Sequence, residues 1–404
     1  MSVVIDRRGA WSGKSGRAAI CLLALFAFLW LPAPSHARWD PETRAAVAAG
    51  WDSNPREWVE AGHRSGDSFQ RLEWSLGWRQ LRASKGADGN AGGSAGSPVG
   101  ASLEFRWGTE RYTREAGENR HLLLLRSAYR WNAMRGWSEA YLDLSGRYFP
   151  HQREEADGED PGNRDSDRLE TGLRGLSRLG WDTDLQWRVH LVGLHRRPAP
   201  AGLDRSRAAA QAAGELRWKR TPSWTALASL EGAGLWYREE ALGSPAGELE
   251  GGVAVPLGYD RKDGSFSLGI GAETLSPVDM RMTAAFQRVW SNSVGVPLSR
   301  VQVDVSIGTL LPWRMSGHLL ARWYPYHEYD DGRRLFDPTL DVDDPDDTEF
   351  AERNRVVLSL QRPLAGDFGV ELQAGWHRNE SLIPFADYEK TQVQAVLHYW
   401  AAGR

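Results

Sequence analysis

The sequence has one cysteine, Cys21, in 404 residues. That excludes a disulfide framework and a thiolate metal site. Lysine is scarce as well. Beyond residue 37 only Lys85, Lys219, Lys262 and Lys390 occur, and the other cations are Arg, whose planar fork suits fixed, partly desolvated ion pairs. Outside the N-terminus there is no apolar run near the roughly 20 residues that a membrane helix needs, so a helical membrane bundle is excluded. Positive charge is not in excess: 49 Lys+Arg stand against 53 Asp+Glu, which leaves no basic footprint for nucleic acid. Tryptophan, by contrast, is abundant at 20 residues, and that excess needs a physical reason.

The first 37 residues read as a segment apart. Arg7, Arg8, Lys14 and Arg17 precede an apolar run from Ala18 to Leu31, Pro32 and Pro34 break it, and Ser35-His36-Ala37 offers small residues for a signal peptidase. We expect a cleaved secretory signal peptide over 1–37 and one folded unit over 38–404. Cys21 would leave with the leader, and the mature net charge becomes −7.

The rest of the chain has a period of two. Leu72, Trp74, Leu76 and Trp78 alternate with Arg71, Glu73, Ser75, Gly77 and Arg79. Val301, Val303, Val305 and Ile307 oppose Gln302, Asp304 and Ser306, and Val370, Leu372, Ala374 and Trp376 oppose Glu371, Gln373 and Gly375. Such alternation gives a strand one apolar and one polar face. About 17 segments of this kind are found, with separate ones centred near residues 252 and 269. Runs of about 9 to 12 residues match the length at which a tilted strand crosses a bilayer. Short turns (Asn132–Gly136, Arg178–Trp181, Lys219–Ser223, Pro363–Asp367) alternate with long polar loops (His151–Asp167, Arg196–Arg205, Tyr237–Gly247, Pro325–Glu352, Arg378–Tyr388), the asymmetry of a transmembrane barrel. The Gly/Ser-rich stretch Gly86–Gly100 falls on the short-turn side by strand phase. Trp78, Trp107, Trp131, Trp137, Trp181, Trp218, Trp224, Trp236, Trp290, Trp323, Trp376 and Trp400 fall near segment ends, where two interfacial girdles would place them. The expected fold is all-β: a closed antiparallel transmembrane β-barrel. Barrels of this type have an even strand number, so about 16 strands are expected, within 14–18. Gly258–Asp260 and Ser276–Asp279 are the stretches that read equally as turn or loop.

On the polar face, the expected pore lining is Arg71, Glu73, Arg79, Glu104, Arg106, Arg126, Arg130, Glu139 and Asp143, with Glu170, Arg174 and Asp184 beside them. It continues through Arg188, Glu215, Arg217, Glu231, Asp304, Arg322, Arg355 and Glu371. Charges of both signs around a wet pore select solutes by electrostatics; the same lining also serves simply to solvate or close the interior. The acidic run Asp341–Asp347 lacks the Gly turn and terminal Glu of a calcium loop and reads as a solvated surface loop. Ser316/His318 and His190 with Asp184 are the pairs a barrel hydrolase would draw on, but no motif surrounds them, so no enzyme activity, cofactor or metal is expected.

The stretch Ala48-Ala49-Gly50-Trp51-Asp52-Ser53-Asn54-Pro55 resembles the opening of Gram-negative outer-membrane β-barrels whose first strand ends in an aromatic-Asp-Ser-Asn motif. These include the barrel of surface lipoprotein assembly modifiers and barrels of exopolysaccharide systems. Asp52 and Asn54 are expected to bond back in Asx-turns, with Pro55 stopping the strand. The assembly modifiers carry a helical-repeat domain ahead of the barrel, for which this sequence has no room, which argues against their lipoprotein-translocation role. The alternation through Val393, Ala395, Leu397 and Tyr399 resembles a barrel-insertion signal, with Gln394 where a Gly is usual. The resemblance implies location in the outer membrane. It implies contact with membrane lipid, lipopolysaccharide and the barrel-assembly machinery, and a polar solute or polysaccharide as cargo. A porin-like channel or export conduit is the expected function, with a non-conducting surface or assembly-partner barrel as the alternative.

Overall fold

The computed structural model describes residues 38–53, 66–81, 100–114, 119–133, 135–150, 166–196, 206–243, 255–275, 278–293, 297–329, 353–379 and 388–402. The expected signal peptide and the acidic run 341–347 lie outside them, as do Asn54, Pro55 and all of Gly86–Gly100 except Gly100. Sixteen strands follow one another along the chain: β1 (Arg38–Asp52), β2 (Asp67–Leu81), β3 (Gly100–Tyr112), β4 (Arg120–Ala133), β5 (Gly136–Tyr148), β6 (Ser166–Gly180), β7 (Thr183–Arg196) and β8 (Arg207–Thr221). They continue as β9 (Trp224–Gly243), β10 (Val255–Thr274), β11 (Asp279–Ser291), β12 (Leu298–Leu311), β13 (Met315–Tyr329), β14 (Arg353–Pro363), β15 (Phe368–Asn379) and β16 (Tyr388–Ala402). Every strand pairs antiparallel with its sequence neighbours, and β1 pairs with β16 to close the barrel. Closure leaves no edge, the condition for strands to cross lipid.

Strand parity sorts the wall into two faces. Contacts between strands that are not neighbours identify the inner one. Arg217 of β8 reaches Glu273 of β10 at 2.7 Å, and Arg281 of β11 reaches Glu215 of β8. Side chains two or three strands apart meet only on the concave side. The opposite face exposes an apolar belt that includes Val47, Leu72, Leu173, Val189, Leu191, Leu230, Leu268, Ile270, Met282, Leu372 and Val393. A belt of that extent is far larger than a water-soluble surface tolerates and is what hydrocarbon solvates.

Tight turns lie at one end, together with both ends of the described chain. The β6–β7 turn passes through Trp181 and Asp182, both with left-handed φ (49° and 57°), and the β12–β13 turn through Trp313 and Arg314 (62° and 59°). Two consecutive left-handed residues give the hairpin geometry whose twist matches the flanking strands. β2 ends and β3 begins at this same end, as strand phase required. Exposed Trp181, Trp218, Trp224 and Trp313 ring the turn end, and Trp51, Trp236, Trp290 and Trp323 the loop end. Two of the expected girdle residues face inward instead. The Arg130 guanidinium lies 4.2 Å over the Trp137 ring, and Trp400 stacks on His398, which itself meets Glu371.

Seventeen segments become sixteen strands at one place. The centre of the segment expected at 252 lies outside the described residues, and its end, from Val255, belongs to β10 together with the segment expected at 269. β9 and β10 are each 20 residues long, and β10 runs through Gly258–Asp260 with register shifts around Asp260. Gly258 takes a φ of 75° there, which accommodates a bulge rather than a turn. Ser276 and Pro277 lie outside the described residues, and Asp279 opens β11. The loop expected from Tyr237 begins later, because β9 continues to Gly243.

Candidate functional site: the charged interior

The expected lining residues all fall on the inner face by strand register, and the structure joins most of them into pairs and triads. On β4 and β5, Arg126 grips Asp143 through Nε (2.9 Å) and Nη2 (2.7 Å). Glu139 sits between Arg130 (2.8 Å) and Arg174 (2.7 Å) and is buried. On β3, Arg106 meets Glu104 at 2.9 Å, and Arg79 of β2 lies 3.8 Å from Glu42. Arg322 donates to Asp304 at 2.7 Å, Glu371 receives His398 at 3.0 Å, and Glu215 holds Arg217 and Arg281. Arg168 and the Tyr141 hydroxyl meet on Glu170. Among the described residues Glu73, Arg188, Glu231 and Arg355 make no ion pair.

Partners that the sequence reading left out complete these networks. Glu110, buried, accepts from Arg71 Nε at 2.6 Å and from Arg120 at 2.9 Å. Glu273 takes Arg217, and Arg261 forks onto buried Asp263 at 2.9 Å, itself bonded by the Ser291 hydroxyl at 2.5 Å. The Arg261 guanidinium also covers the Tyr237 ring at 4.3 Å. Glu110 was within reach of sequence reasoning: it continues the phase of Glu104 and Arg106. The partner identities were not, because they depend on register.

The Asx-turns expected at Asp52 and Asn54 involve residues outside those described, whereas Asp52 and Ser53 themselves are described. The Asp52 carboxylate is fully buried and receives Lys390 at 3.0 Å and the Tyr112 hydroxyl at 3.4 Å. Ser53 accepts from the Thr391 N–H through its hydroxyl (2.7 Å) and donates its own N–H to the Thr391 carbonyl (2.9 Å). Asp52 and Ser53 therefore latch the first strand to the last at the loop end.

Cavities open between these clusters. One of about 550 Å³ opens along β1–β6 and includes Arg44, Arg79, Glu104, Arg126 and Glu139. Another, of about 490 Å³, spans β8–β15 and includes Glu231, Arg281, Asp304, Arg322 and Arg355. Of the candidate hydrolase pairs, His190 and Asp184 each bond elsewhere. His190 Nε2 lies 2.6 Å from the Gln211 amide oxygen, and Asp184 is taken by Lys219 at 2.8 Å. His318 and Ser316 follow each other on one face of β13 and pair across to Gly308 and Leu310. Among the described residues no group of three His, Cys, Asp or Glu could hold a metal ion.

No family model matches this chain, and no curated protein matches it either. Solved structures resemble it at low identity. A bacterial polysaccharide outer membrane secretin is 9% identical with a TM-score of 0.41, over 89% of this chain and 97% of that one. The outer-membrane-expressed OmpT of Vibrio cholerae is 6% identical with a TM-score of 0.43, over 91% and 99%. The outer membrane protein OprD from Pseudomonas aeruginosa is 8% identical with a TM-score of 0.39, over 90% and 93%. The chain is a closed, sixteen-stranded antiparallel β-barrel with a membrane-type exterior and a charged interior.

Proposed function

We propose that the chain is an outer-membrane channel, porin-like or serving as an export conduit, that passes polar solutes through its interior by electrostatic filtering. The observation that carries this reading is the inner face itself. It holds Arg and carboxylates on most of its strands, and many of their heads are exposed inside the wall, Arg79 at 62% and Arg106 at 48%. Barrels of 16 strands leave an aqueous channel, and among the described residues every strand belongs to the wall. Entry into the membrane by way of a leader cleaved after Ala37, contact with lipid and lipopolysaccharide, and delivery by barrel-assembly machinery belong to the same reading. The residues are read as a lining without enzymatic steps. Planar-bilayer recording of the refolded barrel tests it: discrete, ohmic current steps are expected. Folded protein without current would overturn the channel. A barrel whose pore is unused has one observation in its favour, the burial of Asp52, Glu110, Arg261 and Asp263 inside the loop end, and that outcome would select it.

A further inference from the structure

We infer that the inner wall of β13–β15 carries a subsite for a carboxylate-bearing solute, centred on Arg355; this rests on the channel reading and names its solute class. Register places Arg355 of β14 directly opposite Arg322 of β13 on one side and His377 of β15 on the other. Neighbouring strands are about 4.8 Å apart, so three basic side chains stand in a row about 10 Å wide. Like charges directly opposite each other on a sheet face are destabilising, and a wall built for strength alone would alternate their sign.

Among the described residues little acidity stands beside this row, the unpaired Glu231 of the same cavity lying on β9, five strands from β14. The inner face of β13 and β14 carries no carboxylate among the described residues: from Arg355 toward the turn end it reads Val357, Ser359 and Gln361 on β14, and from Arg322 it reads Leu320, His318 and Ser316 on β13. Asp304 on β12 is shared by Arg322 and the Gln302 side-chain amide. Glu371, on β15, is held by His398. Arg300 of the same cavity is directed elsewhere, to the Gln287 amide oxygen at 2.6 Å and over the Tyr324 ring. Arg355 is exposed and has no ion-pair partner among the described residues, and its head lines the 490 Å³ cavity with Arg322 and His377.

A guanidinium so placed offers two parallel N–H donors to a carboxylate, the fork geometry that binds it in two bonds. Arg322, already half-neutralised by Asp304, keeps donors for a second oxygen or a hydroxyl. Arg188 of β7 is the comparison on the far wall. It also lacks an ion pair among the described residues, but its cross-strand neighbour Arg174 is neutralised by buried Glu139.

Calorimetric titration of the detergent-folded barrel with gluconate, and with its neutral counterpart sorbitol, tests the subsite apart from conduction. Saturable gluconate binding is expected, with none for sorbitol. Arg355→Gln should weaken it about tenfold or more, as loss of one charge-assisted pair implies, Arg355→Lys should weaken it less, and Arg188→Gln should leave it unchanged. Heat-modifiable migration checks that each variant folds. Bilayer recording of the same preparations reads the channel. Absence of current with gluconate binding intact removes the channel and keeps the subsite. No gluconate binding to the native barrel, or equal binding to Arg355→Gln, overturns the subsite whatever the conductance.

Discussion

The interior of the barrel differs between its two ends. Toward the loops its charges are buried: Asp52, Asp67, Glu110, Arg207, Arg261, Asp263 and Arg300 are all under a tenth exposed. Toward the middle and the turns many charged heads are open, with Arg44 at 54% and Arg174 at 43%, while others, such as Arg217 at 19%, are partly covered. Glu139 is the buried charge that departs from this division, and two arginines hold it. The same residue types thus serve two physical purposes. A buried ion pair costs desolvation that only good geometry offsets, so removing one partner is severe. An exposed pair is screened and contributes little. The loop end is a fixed ring of matched charges; the middle is a lining that water and solute reach.

Substitutions measure that division. Glu110→Gln leaves Arg71 and Arg120 facing each other without their shared anion, and we expect a loss of about 3–5 kcal/mol, read from urea unfolding in micelles. Arg71→Met, Glu110→Leu and Arg120→Met together should recover most of it, since apolar groups of similar volume replace buried ion clusters with little loss. If the triple variant remained as unstable as the single one, the loop end would be held by something other than that cluster. Glu104→Gln, which removes the partner of half-exposed Arg106, should cost under about 1 kcal/mol. A cost equal to that of Glu110→Gln would abolish the contrast between the two ends. The smallest effect is expected outside the lumen altogether, in the β6–β7 turn. Asp182→Gly relieves a left-handed residue and should stabilise by roughly 1 kcal/mol or less.

The same division explains what the sequence disclosed. Where a strand crosses lipid, one face must be apolar and the other polar, so β2, β12 and β15 are visible as alternation. Where strands extend past the membrane both faces are polar and the period vanishes. The 20-residue β9 and β10 are the clearest case: around Glu240, Asp260 and Arg261 no apolar face marks the strand, and a single hairpin arm reads as two segments. Strands of 11 to 20 residues therefore exceed the 9 to 12 that periodicity reveals. The inner face was legible for the same reason as the outer one, because parity alone assigns it. Its pairing was not. A one-residue slip of register moves every side chain to the other face, and only closure of the barrel brings Asp52 to Lys390 from opposite ends of the fold. The inward turn of Trp137 and Trp400 escaped for a related reason, since nearness to a strand end says nothing of parity.

Everything rests on an apolar face turned to lipid and a charged face turned to water. The barrel strands contain no cysteine, so single thiols can be introduced one at a time along β12, from Val301 to Ser306. Labelling in intact membranes with a charged, water-soluble thiol reagent should succeed at 302, 304 and 306 and fail at 301, 303 and 305. Labelling that is uniform along the strand, or strongest at 301, 303 and 305, would contradict the assignment of the two faces.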